Sequence, residues 1–118
     1  MSGNRVVAVI DDDAAVLVSM KFLIELYGYK VTAYDSALGF LNDRQANQAC
    51  VITDHQMPHM SGLELAELLD AQGDEIPIML ITASPTPAIV ARAALLGIDL
   101  LEKPVRPDAL LKFLTAHP

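Results

Sequence analysis

The chain has 118 residues, 53% of them hydrophobic and 19% charged, enough apolar material for a packed domain and too much for a disordered segment. Its formal charge of −7 and scattered set of eight basic residues argue against a nucleic-acid surface, which needs clustered Lys and Arg to displace phosphate counterions. No apolar run is long enough to span a bilayer, and Met1 to Arg5 lack the features of a signal peptide, so a cytoplasmic protein without membrane contact is expected.

Strand-like and helix-like segments alternate along the chain, the pattern of repeated βα units around a mostly parallel sheet. Val6 to Ile10 is a β-branched run, suited to a strand covered on both faces, and it ends on Asp11, Asp12 and Asp13. A helix follows over Ala14 to Tyr27, with Leu17, Met20, Ile24 and Tyr27 at helical spacing and Gly28 as a left-handed terminator. Tyr29 to Tyr34 reads as a more polar edge strand, after which Ser36 caps a short helix carrying Leu38, Phe40 and Leu41.

Ala49 to Thr53 reads as the third strand, ending on Asp54; Cys50, inside this run, reads as a small buried hydrophobe rather than a reactive thiol. The loop Asp54 to Met60 leads to Ser61-Gly62-Leu63-Glu64, a capping-box pattern opening a helix to about Ala71, with Gly73 after it. Pro77 to Thr82 reads as the fourth strand, and Thr86-Pro87 as the cap and first turn of a helix ending near Gly97. Within it, Ala88 to Leu96 carries Arg92 as its only charge, so half is expected in the core and the remainder is apolar enough for a partner face. Leu100 to Lys103 reads as a short fifth strand, and Pro107 opens a last helix with Leu110, Leu111 and Leu114 inward.

In an open parallel α/β sheet, residues at the carboxyl ends of separate strands meet in one crevice. Asp11, Asp12, Asp54, Thr82 and Lys103 are all expected there. Clustered carboxylates resist joint ionisation unless a cation compensates them, and an all-oxygen donor set selects Mg²⁺ or Mn²⁺ over zinc. Phosphoryl transfer rests on positioning and charge neutralisation, to which a lysine and a hydroxyl contribute. Asp13 reads as a helix N-terminal residue rather than a metal ligand, and His55 as a solvated loop residue.

The order Ile10-Asp11-Asp12-Asp13, Thr53-Asp54-His55-Gln56-Met57-Pro58, Ser61-Gly62, Leu80-Ile81-Thr82-Ala83 and Glu102-Lys103-Pro104 resembles the receiver domain of bacterial two-component response regulators, over nearly the whole chain. The resemblance implies one receiver domain over residues 1–118, a flavodoxin-like α/β fold with a five-stranded parallel sheet of order 2-1-3-4-5 and five flanking helices. It further implies Asp54 as phosphoacceptor, Asp11 and Asp12 as Mg²⁺-holding acids, Gln56 as a ligand through its backbone carbonyl, Thr82 as a switch hydroxyl and Lys103 as the phosphate-binding amine. The Lys103-Pro104 bond is expected to be cis. The implied partners are a sensor histidine kinase or histidine phosphotransfer protein as donor, and an output protein or domain at the face of the fourth helix, fifth strand and fifth helix. No chemistry beyond the domain's own phosphorylation and dephosphorylation is implied.

The chain departs from that family at Leu100, where a Phe or Tyr usually follows the switch hydroxyl, and at Val105, which replaces a frequent aromatic. The stretch Gly97 to Lys103 is also about one residue short. Ser84 and Gln56 fall where receivers tune attack of water on the acyl phosphate. Three other readings compete. A haloacid-dehalogenase-like phosphatase fits Asp11 and Asp13 but leaves Asp54 unexplained and usually needs a larger chain. A flavodoxin-like cofactor binder wants a phosphate loop where Asp11 to Asp13 repel phosphate. A non-phosphorylated docking module does not require the complete set of site residues.

Overall fold

The structure, a computed structural model, describes residues 5–118; Met1 to Asn4, and with them the reading of the extreme N-terminus, lie outside it. Strands and helices alternate as β1 (Val6–Ile10), α1 (Ala14–Leu26), β2 (Lys30–Tyr34), α2 (Ala37–Asn42), β3 (Gln48–Asp54), α3 (Gly62–Ala71), β4 (Ile78–Thr82), α4 (Pro87–Leu96), β5 (Asp99–Glu102) and α5 (Pro107–Ala116). All five strands are parallel, in the order β2-β1-β3-β4-β5. Every residue of β3 and β4 is buried, whereas the edge strands β2 and β5 are partly exposed. This matches the apolar runs of the central strands and the polar character of the edges.

Two hydrophobic layers hold the helices to the sheet. On one side Met20 and Ile24 of α1 and Leu110, Phe113 and Leu114 of α5 pack on Val7, Val9, Cys50, Ile52, Met79 and Ile81. On the other, Ala37 and Phe40 of α2 and Leu65, Ala66 and Leu69 of α3 pack on Ala8, Ile10, Val51 and Ile78. Each fully buried large side chain contributes roughly 1.5–3 kcal/mol through loss of apolar surface from water. Burial pushes the Cys50 thiol up to about 12, which leaves it protonated and unreactive at neutral pH.

Local chemistry sets the helix ends. The Asp13 carboxylate accepts from the amides of Ala15 and Val16, the cap that its position predicts. Ser61 and Glu64 form the reciprocal capping box at α3, and Thr86 caps α4 with Pro87 in its first turn. Gly28 and Gly97 end α1 and α4 with φ of 92° and 69°.

Several expectations need correction. In α5 the inward positions are Leu110, Phe113 and Leu114, and Leu111 is only half-buried, because the helix meets the sheet through a face one position round. In α4 only Ala93 is fully buried, so the helix lies on the sheet more lightly than a half-core reading requires. β5 runs from Asp99 to Glu102 and leaves Lys103 just beyond the strand. β3 is longer than expected at both ends, since Gln48 joins it across an irregularity opposite Val6. The Gln48 side chain belongs to a polar network under α2. Arg44 grips Asp74 with both ends of its guanidinium and reaches Gln48, while Tyr34 donates to Asp43 at 2.6 Å.

Candidate functional site

Asp11 follows β1, Asp54 and Thr82 are the last residues of β3 and β4, and Lys103 follows β5. These strands are neighbours in register, with Asp54 beside Ile81 and Thr82 beside Glu102, so the sheet alone brings the four side chains to one edge. Asp11, Asp54 and Thr82 are buried, at 6%, 6% and 1% exposure, while Asp12 is open to solvent. One carboxylate oxygen from each of Asp11, Asp12 and Asp54 lies within 4.8 Å of the others.

Lys103 Nζ stands 2.7 Å from Asp54 Oδ1. That contact is an ion pair without good hydrogen-bond alignment, and Oδ1, although fully shielded from solvent, has no directed donor. Contact with Asp54 raises the Lys103 pKa, aided by Asp11 and Asp12, against the opposing effect of partial burial. Burial raises the pKa of Asp11, with Asp54 and Asp12 adding to the rise; a hydrogen bond from the Asp13 amide at 2.9 Å and the charge of Lys103 act the other way. The site therefore carries more negative charge than its one lysine offsets. A hard divalent cation fits it: three convergent carboxylates form an all-oxygen donor set.

Thr82 Oγ1 accepts from the Ser84 amide at 3.2 Å, and the Lys103 amide donates to the Thr82 carbonyl at 2.9 Å. The Lys103-Pro104 bond is cis, as expected. Gln56 lies in the exposed loop after Asp54. Beneath the site a cavity of about 20 Å³ between Ile52, Ile81, Met20 and Val105 leaves space for about one water molecule. The larger concavity, about 440 Å³ lined by Asp70, Asp74 and Glu75 among others, opens at the other end of the sheet. A group transfer onto a strand-end carboxylate does not require an enclosed substrate pocket.

His55 is not a solvated residue: it is half-buried, and its Nδ1 is shielded without a hydrogen-bond partner. The reading missed the backbone of His59, an exposed loop residue whose φ of 70° makes it the one non-glycine with positive φ among the described residues. It also missed the ion pair from Arg92 of α4 to Glu67 of α3, at 2.5 Å, which ties together two helices beyond the site. Both depend on loop geometry and long-range contact rather than on any local pattern.

A parallel sheet with acids, a hydroxyl and a lysine converging at its carboxyl edge defines a phosphoryl-handling α/β domain. The sequence model of the response regulator receiver domain matches residues 7–115, and the chain belongs to that family. It is a phosphorylation-dependent signalling receiver. It is 38% identical over 104 residues to the transcriptional regulatory protein FixJ of Bradyrhizobium diazoefficiens, covering 86% of this chain and 51% of FixJ. It is also 38% identical over 110 residues to the response regulator protein TmoT of Ectopseudomonas mendocina, covering 92% of this chain and 50% of TmoT. The chain thus spans about half the length of these curated relatives. Among solved structures, response regulator StyR superimposes with a TM-score of 0.87 at 37% identity, over 96% of this chain and 58% of that one. A receiver domain protein from Clostridium thermocellum gives 0.87 at 25% identity, over 95% and 92%. Among the described residues no helix is long and apolar enough to cross a membrane.

Proposed function

We propose that Asp54 accepts the phosphoryl group, that Asp11, Asp12, Asp54 and the Gln56 carbonyl hold Mg²⁺ or Mn²⁺, and that Lys103 and Thr82 receive the phosphoryl oxygens. The observation that carries this reading is the placement of Asp54: buried on a central strand, in contact with Lys103 and within reach of both other acids. When bound, the cation supplies neutralising charge and a place for the oxygens of the incoming group. An Asp54 carboxylate oxygen forms a P–O bond as the donor's P–N bond breaks, with the electron pair left on the donor imidazole. Lys103 moves from Asp54 Oδ1 to a phosphoryl oxygen, and the Thr82 hydroxyl turns from the Ser84 amide to another. The domain supplies the positioning for its own phosphorylation and for the return attack of water.

The donor is a sensor histidine kinase or histidine phosphotransfer protein of the cytoplasm, and an output protein or domain reads the result. Residues 1–118 act as one receiver unit in this scheme. Incubation with Mg²⁺ and acetyl phosphate, followed by intact mass measurement, tests the reading. One added phosphoryl group is expected, absent in Asp54→Asn and absent after chelation. Persistent labelling of Asp54→Asn with loss in Asp11→Asn would favour a phosphatase-type nucleophile on the first strand.

A further inference from the structure

Thr53, the residue before Asp54, is fully buried. Two positions beyond Val51, it shares that residue's face of the sheet, the one covered by α2 and α3. Its neighbours across the sheet are Ile10 on β1 and Leu80 on β4, both fully buried. A valine has the same shape and would complete this apolar row without a polar atom to take out of water, so packing alone gives no reason for a hydroxyl here. The hydroxyl has a specific use: Thr53 Oγ1 donates to the Asp54 carbonyl at 3.0 Å.

We infer that Thr53 is a positioning residue for the phosphoacceptor, its hydroxyl fixing the peptide group that joins Asp54 to His55. The inference rests on the reading of Asp54 as the group that accepts the phosphoryl. β3 ends with Asp54, so this peptide lies at the edge of the ladder, and it is held at both ends. Its carbonyl accepts from Thr53 Oγ1, and its N–H donates to the Ile81 carbonyl at 2.8 Å. The Gly62 backbone lies so close to the same carbonyl that no side chain fits between them. The peptide before Asp54 lies within the strand, so both peptide planes that meet at Asp54 are set and its Cα–Cβ bond has one direction. That direction carries the carboxylate to Lys103 at 2.7 Å and within 4.8 Å of Asp11 and Asp12. The same peptide begins the loop to Gln56, whose carbonyl is proposed for the cation. Valine at position 53 frees the carbonyl end of the peptide without adding bulk. The attacking oxygen then loses alignment, on which transfer depends steeply: a misplacement of about 1 Å can cost on the order of 10²-fold in rate.

Thr53→Val and Thr53→Ser separate the hydroxyl from the packing. The valine keeps the shape and loses the hydrogen bond; the serine keeps the hydroxyl and loses a buried methyl. Urea denaturation should therefore rank Thr53→Val at or above the wild type and Thr53→Ser below it. Labelling by acetyl phosphate with Mg²⁺, followed by intact mass, should run the other way: about tenfold slower in Thr53→Val and within about twofold of the wild type in Thr53→Ser. Amide exchange of the metal-free protein gives a readout that needs no label. The His55 amide should exchange about fivefold faster in Thr53→Val, the factor that one neutral hydrogen bond supports, and near the wild-type rate in Thr53→Ser. Labelling rates that follow the order of stability make Thr53 a packing residue and overturn the inference. So does a Thr53→Val variant that labels, or whose His55 amide exchanges, at the wild-type rate. A wild-type label that Asp54→Asn lacks leaves the phosphoacceptor reading standing through either failure, whereas a wild-type chain that takes no such label ends that reading and the inference with it.

Discussion

Gly62 lies directly beneath Asp54: a Cβ at Gly62 would stand 2.3 Å from the Asp54 carbonyl oxygen and 2.6 Å from Leu80 Cδ1. The first turn of α3 therefore closes on the end of β3 with no room for a side chain, and the Gly62 amide donates to the His55 carbonyl at 2.9 Å. Gly62→Ala should force the two elements apart at a cost of about 1–3 kcal/mol, as overpacking does in a close-packed interior. It should also slow labelling by acetyl phosphate, because the displaced atoms carry Asp54. Urea denaturation and a labelling time course measure the two effects. Unchanged stability would mean that the loop Asp54 to Ser61 yields freely.

Asp11 gives a second prediction. Its folded pKa is raised, mainly by burial, so its favourable contribution is present below the unfolded value near 3.9 and is lost as pH rises through the folded one. Above the folded value the ionised group is less well accommodated in the fold than the protonated one. Asp11→Asn should therefore stabilise the metal-free protein by roughly 1 kcal/mol, a common scale for single changes. The same variant should lose most of the stabilisation that Mg²⁺ gives the wild type. Thermal melts with Mg²⁺ and with chelator check both signs; a destabilised metal-free Asp11→Asn would contradict the first.

Most of the site was legible because its chemistry sits where period and polarity change together. Asp11, Asp54 and Thr82 each close a buried apolar run, and a parallel sheet aligns such ends without further information. Caps were legible for the same local reason, as Asp13, Ser61 and Thr86 illustrate. The Arg44 contacts were not, since Asp74 lies thirty positions away and no short pattern links the two. Phe113 and Leu111 are both apolar and both plausible on a helical stripe, and only the angle at which α5 meets the sheet separates them.

Tyr34 offers a pH-dependent test of that polar network. Burial, with the hydrogen bond to Asp43, pushes its phenol up to about 12. The stability it contributes is present below the unfolded value near 10 and is lost as pH rises toward 12. Tyr34→Phe should lower stability at neutral pH by about 1 kcal/mol and flatten its decline between about pH 10 and 12. Chemical denaturation at several alkaline pH values reads this difference. Equal slopes in both proteins would remove Tyr34 from the network.

His59 holds a φ of 70° in the loop between β3 and α3. A β-branched side chain is strained there, so His59→Val should cost about 1 kcal/mol or more, whereas His59→Gly should change stability by no more than about 0.5 kcal/mol. Equilibrium unfolding distinguishes them. A His59→Val variant as stable as the wild type would show that the loop relaxes to another conformation.

The route from Thr82 outward is the last expectation. Thr82 Oγ1 accepts from the Ser84 amide, so a hydroxyl that turns toward phosphorylated Asp54 releases that amide first. Beyond it, Leu100 pairs with Leu80 in the sheet and is only half-buried, and no aromatic ring stands there to follow the hydroxyl. α4, by contrast, fully buries only Ala93, fewer residues than any other helix, and it meets α3 through the exposed Arg92 to Glu67 pair. Amide hydrogen exchange with a beryllofluoride mimic of the phosphoryl group should therefore show altered protection across Ser84 to Ala94. Changes confined to Asp54 to Gly62 would defeat this route. Leu100→Tyr should leave the extent of phosphorylation within about twofold while extending the exchange changes into β5, because an added ring can occupy the space that the turning hydroxyl vacates. A Leu100→Tyr variant whose exchange pattern matches the wild type would show that the site and β5 are coupled through the backbone of Thr82 and Lys103, whose 2.9 Å hydrogen bond a side-chain exchange does not touch.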